Sequence, residues 1–233
     1  MAVGYNPRIS TDGLVLCLDA ANTKSYGGSG TTWTDLSGNG NDGTLVNGVG
    51  YSGDNLGSLV FDGVNDYVSI PSFTLNRTSG AAISGWIKIS DFSTSSDVPS
   101  RVFVRSSSIT TSRLIAFYSG GYAYETNTNS NPVEMAGDST PEISDSSIVA
   151  NTYFCFSLVF DNNTGYSYVN GVLSSSKSLS NNMQINQIGN AAGPTNYPDR
   201  MKGNIAQVSI YNKALSAAEV AQNFNALRGR YGI

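Results

Sequence analysis

The sequence predicts an all-β protein, with one short helix near its end. Three observations carry that prediction. Apolar residues recur at alternate positions through most of the chain, as in Phe154, Phe156, Leu158 and Phe160, which is the spacing of a half-buried strand. These runs are separated by clusters of Gly, Asn, Asp and Ser, the residues of tight turns. A helical spacing of apolar residues stands out in one place only, "SAAEVAQNFNAL".

Taken in order, Leu14, Leu16 and Leu18 share one face of the first strand. "LGSLVFD" and "DYVSI" flank a turn around Asp62 to Asp66 and are read as a hairpin. In "AAISGWIKI", Ile83, Ile87 and Ile89 fall on one side, with Trp86 and Lys88 on the other. "RVFVR" is the next strand, and "RLIAFYSGGYAYET" a hairpin turned at Ser119-Gly120-Gly121. Residues 127–150 show little pattern and contain two prolines, so a long surface excursion is expected, with a short strand at Ile148-Val149.

"NTYFCFSLVFDNNTGYSYVNGVLSSS" predicts three consecutive antiparallel strands. Asn170-Gly171 makes the second turn, because a two-residue type I′ loop needs positive φ at both positions. "GNIAQVSIYN" is a late strand with Ala206, Val208 and Ile210 on one face. The helix spans about 216–228. Ser216 and Glu219 have capping-box spacing, Val220, Phe224 and Leu227 form a stripe that docks on the strands, and Gly229 ends it. No linker-like break in composition divides the chain, so residues 1–233 are read as one domain.

Charged residues make up only 13% of the chain and the net charge is −4. The few basic residues are scattered, Arg228 and Arg230 being the densest pair, so no nucleic-acid footprint is present. No apolar run reaches the ~18–20 residues of a membrane span. "MAVGYNPRISTDG" lacks a charged leader followed by an apolar stretch, and no signal peptide is expected. Cys17 and Cys155 are the only cysteines and are read as buried or half-buried free thiols rather than as a disulfide.

"DLSGNGNDGTL", "LVFDGVNDYVSIP", "ISGWIKI", "FSLVFDNNTGYSYVNGVL" and "GNIAQVSIYNKALSAAEV" occur in that order over residues 12–227. Together they resemble the laminin G-like, concanavalin A-type lectin/glucanase superfamily. The resemblance implies a two-sheet antiparallel jelly-roll β-sandwich with the C-terminal helix packed against it. The opening "NPRISTDGLVLCLDAANTKSYGGSGTTWTDLSGNGNDGTL" and the ending "NFNALRGRYGI" further resemble laminin-G-type structural proteins of tailed phages, especially those of marine cyanobacteria. That implies a protein made in the host cytoplasm and carried on the virion surface, with other capsid or tail proteins as partners. Host surface carbohydrate and a second copy of the chain are further candidates.

An enzyme is not expected. The chain has no histidine, which removes His-based nucleophilic triads and zinc sites. Glucanases of the superfamily place acid and nucleophile close together on one strand, ~5–5.5 Å apart for retention. Here Glu134, Asp138 and Glu142 lie on a loop-like stretch, and Glu219 is taken by the helix cap. The resemblance also implies a structural calcium ion at the rim, which needs six to eight oxygen ligands. Asp62, Asn65 and Asp66 are candidates, with Asp35 beside Asn39, Asn41 and Asp42. The alternative reading of both segments is turn chemistry, Asp and Asn side chains bonding their own backbone. For a glycan, an aromatic platform with polar neighbours points to Tyr122, Tyr124, Glu125 and Tyr197.

Overall fold

A strand sends successive side chains to opposite faces, so alternating runs bury one face each and satisfy their backbone by pairing edge to edge. The computed structural model describes residues 8–90, 100–104, 114–118, 121–124, 143–144, 146–179, 182–189 and 201–233. In chain order the first strands are β1 (Leu14–Asp19), β2 (Thr32–Trp33), β3 (Gly43–Val46), β4 (Gly50–Ser52), β5 (Ser58–Asp62), β6 (Tyr67–Leu75), β7 (Ala81–Ile89) and β8 (Ser100–Val104). There follow β9 (Leu114–Tyr118), β10 (Gly121–Tyr124), β11 (Ile143–Ser144), β12 (Tyr153–Asp161), β13 (Thr164–Val169), β14 (Val172–Ser178), β15 (Met183–Ile188) and β16 (Lys202–Tyr211).

Two antiparallel sheets result. Sheet A runs β14-β13-β12-β7-β16-β5-β4, with β1 also paired to β16. Sheet B runs β11-β10-β9-β8-β15-β6-β3-β2. Between them lies the main core, with Leu16, Leu18, Phe61, Ile83, Phe154, Phe156 and Val208 meeting Trp33, Val68, Ile185 and Ile188. Each such side chain contributes roughly 1.5–3 kcal/mol by leaving water.

Sheet A is buried on its outer face as well, because the helix α1 (Ala217–Leu227) lies on it. Val220 packs with Ala82, Val159, Tyr168 and Tyr211. Phe224 and Leu227 pack with Trp86, Tyr153 and Ala206. The Trp86 ring stacks on Phe224 at 5.6 Å and on Tyr231 at 4.2 Å between centroids. A polar clasp joins the N-terminal segment to this layer. Asn223 Oδ1 accepts from the Ser10 amide at 2.7 Å, Asn223 Nδ2 donates to Tyr211 Oη at 3.0 Å, and Tyr211 Oη donates to the Ser10 carbonyl at 3.1 Å.

The capping box forms as expected. Ser216 Oγ accepts from the Glu219 amide at 3.3 Å, and Glu219 Oε2 accepts from the Ser216 amide at 2.8 Å. Ser216→Ala should cost about 1 kcal/mol in urea denaturation. Lys213, whose Nζ lies 2.8 Å away, together with the Ser216 amide, holds the Glu219 carboxyl down at about 2. This acid's folded value is depressed, so its contribution is complete above its ordinary value and is lost as pH falls towards 2. Glu219→Gln should therefore flatten the stability profile between about pH 5 and pH 2.

Several sequence readings are corrected. "FDGVNDYVSI" is no hairpin: β5 pairs with β16 and β4 in sheet A, while β6 pairs with β15 and β3 in sheet B. The turn is an arch that carries the chain from one sheet to the other. Leu14 does not share the face of Leu16 and Leu18, because a register shift between Leu14 and Leu16 turns it to the helix side. A second shift, between Ile205 and Gln207, puts Ala206 under the helix while Ile205, Val208 and Ile210 face the core. Both are bulges, in which an extra residue reverses the alternation.

Ile148-Val149 is not a strand, although Ile148 reaches the core; the short strand there is β11. Gly121 opens β10 opposite Tyr118 rather than belonging to the turn. Gly229 does not stop the helix, which passes into a 3-10 turn over Arg228–Arg230. The turn at Asn170-Gly171 has φ of +49° and +79°, as its type requires.

Candidate functional site

Asp35 is buried at the foot of the "DLSGNGND" loop, and its carboxylate organises that loop. Oδ1 accepts from the amides of Cys17 (2.8 Å) and Ser37 (2.9 Å), and Oδ2 from Ser37 Oγ (2.7 Å) and the Asn41 amide (3.0 Å). Asp42 Oδ1 in turn accepts from the Asp35 amide at 2.8 Å. Burial opposes the charge on Asp35, and the bonds from Ser37, Cys17 and Asn41 outweigh it, leaving the carboxyl below its ordinary value. Four donors occupy the roughly four lone-pair directions of a carboxylate. Asn39 and Asn41 spend their amides on the carbonyls of Leu14 and Val15.

The arch is different. Asp62 Oδ1 accepts from the Val64 amide at 2.6 Å, and Asp66 Oδ2 from the Asp62 amide at 3.0 Å. Asp66 is only 4% exposed, and its Oδ1 is buried without a hydrogen-bond partner among the described residues. Burial, and after it the neighbouring Asp62 carboxyl, raise Asp66 above the usual carboxylate range, against the bond from the Asp62 amide. The exposed Asn65 turns its carbonyl to Asn47 Nδ2 at 3.0 Å. Among the described residues no three His, Cys, Asp or Glu side chains gather as a metal group, so Asp35 does not join Asp62 and Asp66.

Tyr122 and Tyr124 stand on β10, between β9 and β11. Their side chains lie outside the described residues, as do Glu125 and Tyr197 altogether, and likewise Glu134, Asp138 and Glu142. Strand register reveals a row that sequence inspection missed. Thr32 pairs with Thr44, Thr44 with Ser69, and Ser69 with Gln187. Directly opposed residues share a face, so three hydroxyls and an amide line up across the outer face of sheet B. At ~4.8 Å per strand the row is about 14 Å long. Thr32, Thr44 and Ser69 are exposed, and Gln187 is buried with Oε1 lacking a partner among the described residues. Polar residues at alternate positions in "TTWT", "GTLV", "YVSI" and "QINQI" were the signal available, but only register brings them together.

Among the described residues, an ion pair and both thiols are committed to structure. Arg230 Nη1 binds both oxygens of buried Asp19, at 2.9 and 2.8 Å. Cys17 and Cys155 are free and buried. Burial pushes their thiols up to about 11 and about 12, and a thiol so raised is a poor nucleophile. Ellman's reagent should label neither in the native protein and both in urea.

The sequence of residues 62–221, more than half of the chain, matches the family model Laminin_G_3, described as the concanavalin A-like lectin/glucanases superfamily. The chain belongs to that superfamily. No curated protein matches it. Among solved structures, the binding domain of Paraclostridial Mosquitocidal Protein 1 is similar at TM-score 0.62 and 17% identity; the match covers 93% of this chain and 52% of that one. Domain 4 of AbnA, a GH43 extracellular arabinanase from Geobacillus stearothermophilus, in complex with arabinotriose, gives TM-score 0.60 at 17% identity, covering 90% of this chain and 97% of that one. A mutant Trypanosoma rangeli sialidase displaying trans-sialidase activity gives 0.65 at 14%, covering 97% and 34%. This laminin G-like chain thus spans about half the length of the mosquitocidal-protein chain and a third of the sialidase. At these identities the likeness is one of fold.

Proposed function

We propose that this laminin G-like chain is a non-enzymatic binding domain whose ligand is a neutral carbohydrate, held across the outer face of sheet B. The uncharged row Thr32–Thr44–Ser69–Gln187 carries the reading. Sugars are recognised by hydrogen bonds to their hydroxyls, which the exposed hydroxyls of Thr32, Thr44 and Ser69 can both donate and accept. A toxin binding domain of similar fold, and an arabinanase domain of similar fold solved with arabinotriose, support it. The test is an array of neutral glycans followed by calorimetry. Wild type should bind, and Thr44→Lys should lose at least about tenfold, roughly 1.4 kcal/mol, with its melting temperature unchanged. No glycan bound, or hydrolysis of a polysaccharide by the pure protein, overturns the reading.

A second reading concerns place. The domain, taken as residues 1–233, is carried on the surface of a tailed-phage particle, where it contacts capsid or tail proteins and other copies of itself. The resemblance of its opening and ending to phage structural proteins supports this. Cryo-microscopy of purified particles should show the chain at fixed positions, and its absence from particles removes the idea.

The arch also suits one structural calcium ion. A buried, partnerless carboxylate oxygen on Asp66 beside the Asp62 carboxyl is the arrangement a hard cation relieves. Asp62 and Asp66 would hold it, with Asn65 adjacent, and it would brace the crossing between sheets. Chelation at matched ionic strength should lower the melting temperature of wild type and leave Asp66→Asn unmoved. An unchanged wild-type value rejects the ion.

A further inference from the structure

Two crossings carry the chain between the sheets at neighbouring places. Residues 47–49 lead from β3 in sheet B to β4 in sheet A, and residues 63–66 lead from β5 in sheet A to β6 in sheet B. One side chain stitches them, since Asn47 Nδ2 donates to the Asn65 carbonyl at 3.0 Å. Asn47 takes φ of +65° and Gly48, which follows it, +99°. Asparagine tolerates the first, and the second suits glycine. Both residues are exposed, and the Gly48 amide has no hydrogen-bond partner among the described residues. A Cβ on Gly48 would meet one atom within 4 Å, Asp66 Oδ1 at 3.8 Å, so the space around this residue is open.

Asparagine before glycine is prone to cyclise, because no side chain shields the glycine nitrogen. That nitrogen gives its proton to hydroxide and attacks the asparagine Cγ, the Cγ–Nδ2 bond breaks, and ammonia leaves. Water then opens the succinimide at one carbonyl or the other, giving an aspartyl or isoaspartyl linkage. Water enters, ammonia departs, and nothing is oxidised or reduced. The chain has three such dipeptides, Asn39-Gly40, Asn47-Gly48 and Asn170-Gly171. Asn39 Nδ2 is held twice, by the Leu14 carbonyl at 3.2 Å and by Ser37 Oγ at 2.9 Å. Asn170 Oδ1 accepts from the Cys155 amide at 3.0 Å, and its own amide donates to the Cys155 carbonyl at 2.8 Å. A Cβ on Gly171 would lie 3.0 Å from Phe224 Cβ, so that turn is also packed against the helix. Among the described residues Asn47 is pinned by one bond only, to an exposed partner.

We propose that Asn47 is a deamidation site, and that its conversion cuts the stitch between the two crossings. Loss of ammonia replaces an amide that donates by a carboxylate that only accepts. Facing the Asn65 carbonyl, the carboxylate repels where the amide attracted. An isoaspartyl linkage also lengthens the backbone by one carbon, in a crossing of three residues whose Val49 packs against the core. The reaction needs only water, and it does not depend on what the domain binds.

The test is peptide mapping by mass spectrometry after storage of the folded protein in warm, mildly alkaline buffer. Position 47 should gain about 1 Da, at least about fivefold faster than positions 39 and 170. Isoaspartyl methyltransferase should label the same peptide. In urea, where no turn is pinned, the three rates should draw together. Equal or faster conversion at 39 or 170 in the folded protein, or none at 47, overturns the assignment. Asn47→Asp, confirmed folded by its circular-dichroism melt, stands in for the product. Its hydrogen exchange over residues 62–66 should quicken at least about threefold relative to wild type. Exchange unchanged in Asn47→Asp rejects the bond to Asn65 as a brace between the crossings.

Discussion

Replacing Trp86 with alanine should lower stability by about 3–5 kcal/mol, or about 6–20 °C in melting temperature for a chain of this size. Trp86 is 1% exposed and lies where three things meet: strand β7, helix α1 and the C-terminal Tyr231. Removing the indole empties the space between Phe224 and Tyr231, whose rings stack on it. Neither ring can fill it alone, because Phe224 is fixed by the helix and Tyr231 leans also on Tyr153 at 4.7 Å. Trp86→Phe should cost clearly less. The indole Nε1 has no hydrogen-bond partner among the described residues, so phenylalanine gives up volume but no polar contact seen there. Urea denaturation of the pair checks this, and equal losses would show that stacking is not what holds the helix down.

Asp35→Ala should cost about 3 kcal/mol, because it leaves several donors unpaired at once and each buried one is worth about 1–3. The Cys17 amide is the most damaging of these, since it sits inside β1 where water does not reach. The loss should be the same with calcium or chelator present, as the four donors already come from the protein. It should also shrink in acid. The folded value of Asp35 is depressed, so its contribution is present above the ordinary 3.8 and disappears as pH falls through the folded value. Below that, the gap should have narrowed by the charge-dependent part alone, since the protonated carboxyl still accepts hydrogen bonds that alanine cannot.

Much of the fold was legible because strand pairing leaves a local trace. Phe154 to Phe160 alternate, Asn170-Gly171 turns, and Ser216 with Glu219 caps, each within a few residues of sequence. What was illegible is non-local. Whether two strands joined by "DGVND" pair or face each other across a core is decided by their other neighbours, β16 and β15, more than a hundred residues away. The bulges at Leu14–Leu16 and Ile205–Gln207 follow from fitting β1 and β7 to one partner, and nothing in their own composition announces them. The hydroxyl row of sheet B suffers the same difficulty, its four members lying on four strands.

The pairing of β1 with β16 has a mechanical consequence. Leu14 sits opposite Tyr211, and the last rung is the Asn212 amide on the Gly13 carbonyl at 2.9 Å. Tension applied across residues 13 and 212 would therefore peel this ladder open one rung at a time instead of loading all rungs together. The Ser10–Asn223–Tyr211 clasp spans that same end. It would bear part of the same load beside the first rung.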